Sequence, residues 1–199
     1  MKQLIVLILA IILSVPNLTF AEQNYNYDAM TRAEFARVIV QLMRIEDMNI
    51  TSGWVYSFPD VVGHYLYKYV RWLQLLGVVL GGGDNYFRPD DTILIEHATV
   101  MLLRVLGYQP IAIENGNFPI GYAFVSELSG LDKNSDSLLD LVNRALDIPM
   151  VGFNHGTWQW EILDGLDGRG FHTLRTRVWD NAPVYFDGEN FILLEEVQP

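Results

Sequence analysis

The sequence contains no cysteine. Disulfide bonds, a cysteine nucleophile and the lipid-modified cysteine of a lipoprotein are therefore excluded. Basic residues are also scarce, because 13 lysines and arginines face 24 acidic residues and give a net charge of -11. Binding to nucleic-acid phosphates needs a basic face, so we expect no nucleic-acid partner.

The apolar run Leu4–Leu13 is too short for a membrane span, which requires roughly 20 residues. Lys2 precedes this run, and the small residues Thr19 and Ala21 follow it. This pattern is typical of a secretion signal, which we assign to residues 1–21 with cleavage after Ala21. The mature chain is then expected to be secreted and to have no membrane segment. Export without disulfides is typical of a bacterial surface protein.

The next segment has the periodicity of amphipathic helices. Over residues 31–45, apolar side chains recur at steps of three and four, at Phe35, Val38, Ile39, Leu42 and Met43. Thr31 is a candidate N-cap, and Glu34 stands at the capping-box position three residues later. A second helical stripe is predicted from Tyr65 to Leu76 and ends at Gly77. A third is predicted over residues 96–106 and ends at Gly107.

These patterns repeat along the chain. A shift of 63 residues places Thr31 on Leu94, a shift of 103 places it on Asn134, and both shifts superimpose apolar positions. The segment at residues 69–79 likewise matches residues 122–132. The sequence thus predicts two and a half helix–loop–helix units. A single unit cannot bury its apolar stripe alone, so the units are expected to share one core.

From residue 153 the pattern becomes that of short strands. Asp187-Gly188 predicts a hairpin turn, and this tail is expected to pack against the helices. Trp158 and Trp160 would face the same side of a strand, where they could stack on sugar rings or cover the helical core; we favour the core. A metal site or an acid–base pair is conceivable at His155, Glu161, Asp164, Asp167 and His172. Their spacing matches no ligand pattern, so we assign no catalytic residue, metal or cofactor.

The helical units resemble S-layer homology (SLH) modules of bacterial surface proteins. The resemblance rests on the motifs Thr31-Arg32-Ala33-Glu34, Phe58-Pro59-Asp60-Val61, Phe87-Arg88-Pro89-Asp90 and Leu103-Arg104-Val105-Leu106-Gly107. It covers residues 28–150, as a partial first unit at 28–50, a second at 54–110 and a degenerate third at 118–150, before a β-rich tail at 153–199. It implies a mainly α fold, in which the modules form a pseudo-threefold bundle of helices.

The resemblance also implies a function. SLH modules hold a protein at the cell surface without a covalent bond, by binding an anionic secondary cell-wall polysaccharide in grooves between modules. Carried over residue by residue, the glycan-binding residues would be Arg32, Asp60 and Tyr65. The arginine is replaced in the other units, by Ile95 and Ser135. We therefore expect one working groove, and no enzymatic activity.

Other interpretations remain open at this point. Arg32 lies in the first turn of a helix, where the macrodipole disfavours a base, so it is either a surface charge or a ligand for an anion. We interpret His97 as an ordinary surface residue. The chain could also be a structural or assembly protein that binds no glycan, or, less favoured, a small wall-active enzyme. The oligomeric state is left open.

Overall fold

The computed structural model describes residues 29–48, 58–81, 83–131, 135, 137–163 and 171–194; the predicted secretion signal lies outside them. These parts contain seven helices and two small antiparallel sheets, which confirms a mainly α fold with a β-rich C-terminal part. None of the described helices is long and apolar enough to cross a membrane. The helices are α1 (Arg32–Leu42), α2 (Tyr67–Leu75), α3 (Ile95–Val105), α4 (Gln109–Glu114), α5 (Ile120–Ser129), α6 (Leu138–Ala145) and α7 (Leu174–Val178).

The predicted capping box at the start of α1 is confirmed. The Thr31 hydroxyl accepts from the Glu34 amide at 3.2 Å, and the Glu34 carboxylate accepts from the Thr31 amide at 2.7 Å. Two free amide donors of the helix start are thereby paired. Helix α3 has Leu94 as its N-cap residue, so the 63-residue repeat is confirmed here. The side chain of leucine cannot accept a hydrogen bond, so α3 has no side-chain cap.

The third unit departs more from the prediction. Helix α6 begins after Ser137, whose hydroxyl caps the Asp140 amide at 3.1 Å, and not after Asn134. Its buried apolar positions, Leu141 and Val142, are nevertheless those that the repeat predicted. Helices α4 and α7 were not predicted, because neither is long enough to show a clear apolar period.

One hydrophobic core joins the helices to the tail. Phe35, Leu102 and Phe186, from α1, α3 and the tail, are among the fully buried side chains of this cluster. The Asn143 side chain also makes two hydrogen bonds with the backbone of Phe186, at 2.8 and 3.0 Å. These contacts confirm that the tail packs against the helices.

The tail contains two antiparallel hairpins. Their strands are β1 (Val151–Asn154) with β2 (Gln159–Ile162), and β3 (Val184–Phe186) with β4 (Phe191–Leu193). The second hairpin confirms the turn at Asp187-Gly188. Trp158 and Trp160 are 76% and 42% exposed, so the prediction that they cover the helical core was wrong. The first hairpin reaches the core through Val151 instead, and its tip remains in solvent.

Close contact between α4 and α5 yields a test of the fold. A Cβ atom at Gly121 would lie 1.9 Å from the Ala112 carbonyl oxygen. Gly121→Ala should therefore destabilise the protein by about 2–3 kcal/mol despite alanine's higher helix propensity. Thermal unfolding followed by circular dichroism would measure this. Gly83→Ala is the control, because a Cβ there meets nothing within 4 Å. Equal melting temperatures for the two variants would contradict the packing.

Candidate functional site

The loop Phe87–Asp91, between α2 and α3, is the centre of the candidate site. Both carboxylate oxygens of Asp60 accept from the Phe87 amide at 3.1 Å, and one also accepts from the Arg88 amide at 2.6 Å. Arg88 has a φ of +58°, a left-handed conformation that is uncommon for a residue with a side chain. Asp60 thus holds the start of the loop in this conformation.

The start of α1 is attached to the other end of the loop. Thr31 and Thr92 form an antiparallel bridge, and the Arg32 amide donates to the Asp91 carbonyl oxygen at 2.9 Å. An amide in the first turn of a helix has no partner within the helix, so the loop pairs a donor that would otherwise require water. This pairing places the Arg32 side chain beside the loop.

The Arg32 guanidinium is half-buried against the loop. Its Nε donates to the Phe87 carbonyl oxygen at 2.7 Å, its Nη1 lies 3.3 Å from Nδ1 of His97, and its Cζ lies 4.9 Å from the centre of the Phe87 ring. None of the carboxylates within the described ranges forms an ion pair with it. Burial lowers the pKa of Arg32, and the carboxylate of Asp91 partly opposes that shift.

This environment leaves the positive charge of Arg32 poorly compensated. Arginine stays protonated in proteins, so a lowered pKa reports an unfavourable environment for the charge and not its loss. The position at the start of α1 adds to this effect, because the positive end of the helix dipole lies there. An anion placed beside the guanidinium would offset both the cost of burying the charge and the repulsion from the helix dipole. The site therefore suits a negatively charged ligand.

His97 is part of this site, and the interpretation as an ordinary surface residue was wrong. It is half-buried in the first turn of α3 and faces Arg32. Arginine can only donate, so Nδ1 accepts and the ring proton of neutral His97 lies on Nε2. Burial lowers the pKa of His97, and the positive charge of Arg32 lowers it further. The ring is thus held in its neutral form near pH 7.

Tyr65, just before α2, is linked to this loop through its neighbour His64. The His64 Nδ1 accepts from the Leu66 amide at 3.1 Å, so its Nε2 donates to the Asp90 carboxylate at 3.2 Å. The ring centres of Tyr65 and His64 are 4.6 Å apart, and Tyr65 is 75% exposed. The structure therefore attaches Arg32, Asp60 and Tyr65 to one loop. The sequence interpretation missed His64 and Phe87 as supports, although the motif Phe87-Arg88-Pro89-Asp90 marked the loop.

The second unit has a cleft in a related place, between α3 and α5. Its lining includes Glu96, Phe118, Pro119 and Tyr122. The Tyr122 hydroxyl already accepts from Arg104 Nε at 2.8 Å. The position that corresponds to Arg32 is Ile95, and the charged residue of the lining is Glu96, so this cleft has no equivalent attraction for an anion.

Two of the polar candidates in the tail, Glu161 and His155, have structural partners. The Glu161 carboxylate accepts from Asn154 at 2.8 Å and from Thr157 at 2.6 Å. His155 is in contact with aromatic rings. Asp164 and Asp167 lie outside the described residues. No group of three or more potential metal ligands occurs within the described ranges.

The contact between Arg32 and His97 can be tested by titration. NMR should find the pKa of His97 below 6.5, and Arg32→Ala should raise it because the positive charge that helps to lower this pKa is removed. His97→Gln assigns the signal. Since the folded pKa is lowered, His97 should reduce stability as the pH falls through the unfolded value near 6.5. A His97 pKa that is the same in both proteins would contradict the contact.

Comparisons with known proteins match part of this chain to a domain family and to a curated protein. The family model of the S-layer homology domain matches residues 57–94, a range that includes Asp60, Tyr65 and the Phe87–Asp91 loop. "Cell surface glycoprotein 1" of Acetivibrio thermocellus is 29% identical over 89 residues, which cover 41% of this chain and 4% of that protein. The chain therefore spans only a small part of this curated relative. No solved structure matches significantly. The chain thus contains a match to the S-layer homology domain at residues 57–94 and is distantly similar to a cell surface glycoprotein.

Proposed function

We propose that this protein attaches without a covalent bond to the bacterial cell wall, through an anionic polysaccharide bound at Arg32, Asp60 and Tyr65. The observation that carries the proposal is the half-buried Arg32 guanidinium, which forms no ion pair with a described carboxylate. The match to the S-layer homology domain and the similarity to a cell surface glycoprotein support location at the cell surface. An anchoring module needs no catalytic group, so we propose no enzymatic activity.

Arg32 supplies the charge recognition. Its Nε and Nη1 meet Phe87 and His97, and its Nη2 donates to none of the residues that the structure describes. The guanidinium is therefore oriented by the protein and keeps donors for a ligand. A planar guanidinium suits a carboxylate, such as that of a pyruvyl ketal on a sugar, because both groups can form paired hydrogen bonds.

Tyr65 and Asp60 have different roles in this proposal. The exposed ring of Tyr65 provides a flat surface for a sugar, with a hydroxyl at its edge. The oxygens of Asp60 already accept from backbone amides, so its main contribution is to hold the loop on which the groove is built. Loss of Asp60 would then weaken binding indirectly.

A second candidate function is assembly with other surface proteins and no glycan binding. The observation in its favour is a set of exposed apolar side chains on and beside α4 and α5, at Ile113, Phe118, Ile120, Phe124 and Leu128. Exposed apolar patches often mark protein contacts. The match to an anchoring domain favours the glycan, as does the charge of Arg32, which forms no ion pair with a carboxylate of the described ranges.

The proposed glycan site at Arg32 leads to a prediction for the removal of this side chain. Arg32→Ala should weaken binding to purified cell-wall sacculi by about tenfold or more, because a charged hydrogen bond contributes about 1.5–3 kcal/mol. Arg32→Lys keeps the charge and loses the planar fork, so it should bind with intermediate strength. Sedimentation of the protein with sacculi measures both. Arg37→Ala, on the same helix, makes the same change in net charge and serves as control.

Sacculi stripped of their secondary polysaccharide provide the ligand control, and the native protein should no longer bind to them. Each variant is first compared with the native protein by circular dichroism. If folded Arg32→Ala binds as well as the native protein, Arg32 is only a surface charge, and the assembly function becomes the better account.

A further inference from the structure

The β1–β2 hairpin carries a cluster of four rings, which we call the aromatic face: the half-buried Phe153 and the exposed His155, Trp158 and Trp160. Phe153 is paired with Trp160 across the strands, and their ring centres are 5.3 Å apart. The centres of His155 and Trp158 lie 5.1 and 6.1 Å from that of Phe153. All these rings meet edge to face, so together they form one continuous apolar surface at the tip of the hairpin.

Trp158 occupies an unfavourable backbone conformation at this tip. Its φ is +57°, in the left-handed region where glycine and asparagine fit best and bulky residues are rare. Its amide donates to the Asn154 carbonyl oxygen at 2.8 Å and closes the turn, a role for which the indole is not needed. The indole is 76% exposed, so the core does not need it either. Such a costly placement of a large ring points to a binding role.

The charged residues of the hairpin restrict the kind of ligand that the aromatic face can bind. Residues 151–163 contain no lysine or arginine and a single acid, Glu161. The Glu161 carboxylate accepts from the side chains of Asn154 and Thr157, whose positions alternate with those of the aromatic face. The hairpin therefore offers no cation to an anionic polysaccharide or an anionic lipid. An uncharged ligand with flat apolar faces and hydroxyl groups fits this surface.

We propose that the aromatic face is a second glycan-binding surface, which takes uncharged chains of equatorially substituted pyranoses, of the glucose or N-acetylglucosamine type. Both faces of such a ring present C–H groups that can stack on Trp158 and Trp160, while the equatorial hydroxyl and amide groups stay at the edge of the ring and in water. The surface differs in chemistry from the groove at Arg32 and acts independently of it. Together the two sites would hold the protein on two components of the wall, with a gain from multivalency.

The test uses the full chain and two soluble probes, N-acetylchitohexaose and cellohexaose, in calorimetric titrations. Saturable binding to at least one probe is expected. Trp158→Asn should weaken it at least tenfold, while the melting temperature stays the same or rises, because asparagine tolerates the positive φ. Phe124→Ala removes an exposed ring from α5, away from the hairpin, and should bind like the native protein. Arg32→Ala should also bind these probes normally, so this proposal and the groove at Arg32 can fail separately.

Two results would overturn the proposal. The first is no binding of either probe at millimolar concentration. The second is equal binding of the probes by the native protein and Trp158→Asn. If Trp158→Asn then abolishes binding to phosphatidylcholine vesicles, or self-association in sedimentation equilibrium, the aromatic face is assigned to a lipid surface or to a second copy of the chain.

Discussion

The Asp60 carboxylate, by accepting from the amides of Phe87 and Arg88, fixes the loop on which the candidate site depends. One end of this loop carries the carbonyl oxygen that orients Arg32, and the other end pairs with the start of α1. Carboxylate–amide hydrogen bonds are strong, and they pair backbone donors that the turn would otherwise leave exposed. A short loop can thus connect chain segments that are distant in sequence.

The same arrangement explains why the repeated units are not equivalent. In the first unit, α1 begins with the Thr31 cap and Arg32, and the Arg32 side chain contacts Phe87 in the loop of the second unit. In the second unit, Leu94 cannot cap its helix, and the adjoining cleft contains Glu96. The apolar positions persist in both because burial in a shared core requires them. Packing thus preserves the apolar positions of the repeat. The arginine that suits an anion is present in the first unit, at Arg32, and is replaced by Ile95 and Ser135 in the others.

The C-terminal tail contributes side chains to the hydrophobic core and also carries a separate exposed surface, the aromatic face. Val151 and Phe186 are buried with the helices, and Arg175 ties the tail to Asp147 through two hydrogen bonds, at 2.6 and 3.1 Å. Removal of the tail would therefore expose apolar surface of the helical part. Trp158, in the aromatic face, lies at the tip of the first hairpin, away from Val151 and in solvent, so the core does not require it.

The sequence by itself determined the mainly helical class, the capping box at Thr31, the register of α1 and α3, and the hairpin at Asp187-Gly188. These features depend on residues a few positions apart, so local spacing is enough to identify them. Only the tertiary structure decided that Asp60 holds a loop, that His97 faces Arg32, and that Trp158 lies in solvent. Each depends on how chain segments that are distant in sequence pack together, which no local pattern contains. Burial against such a segment also lowers the pKa of His97.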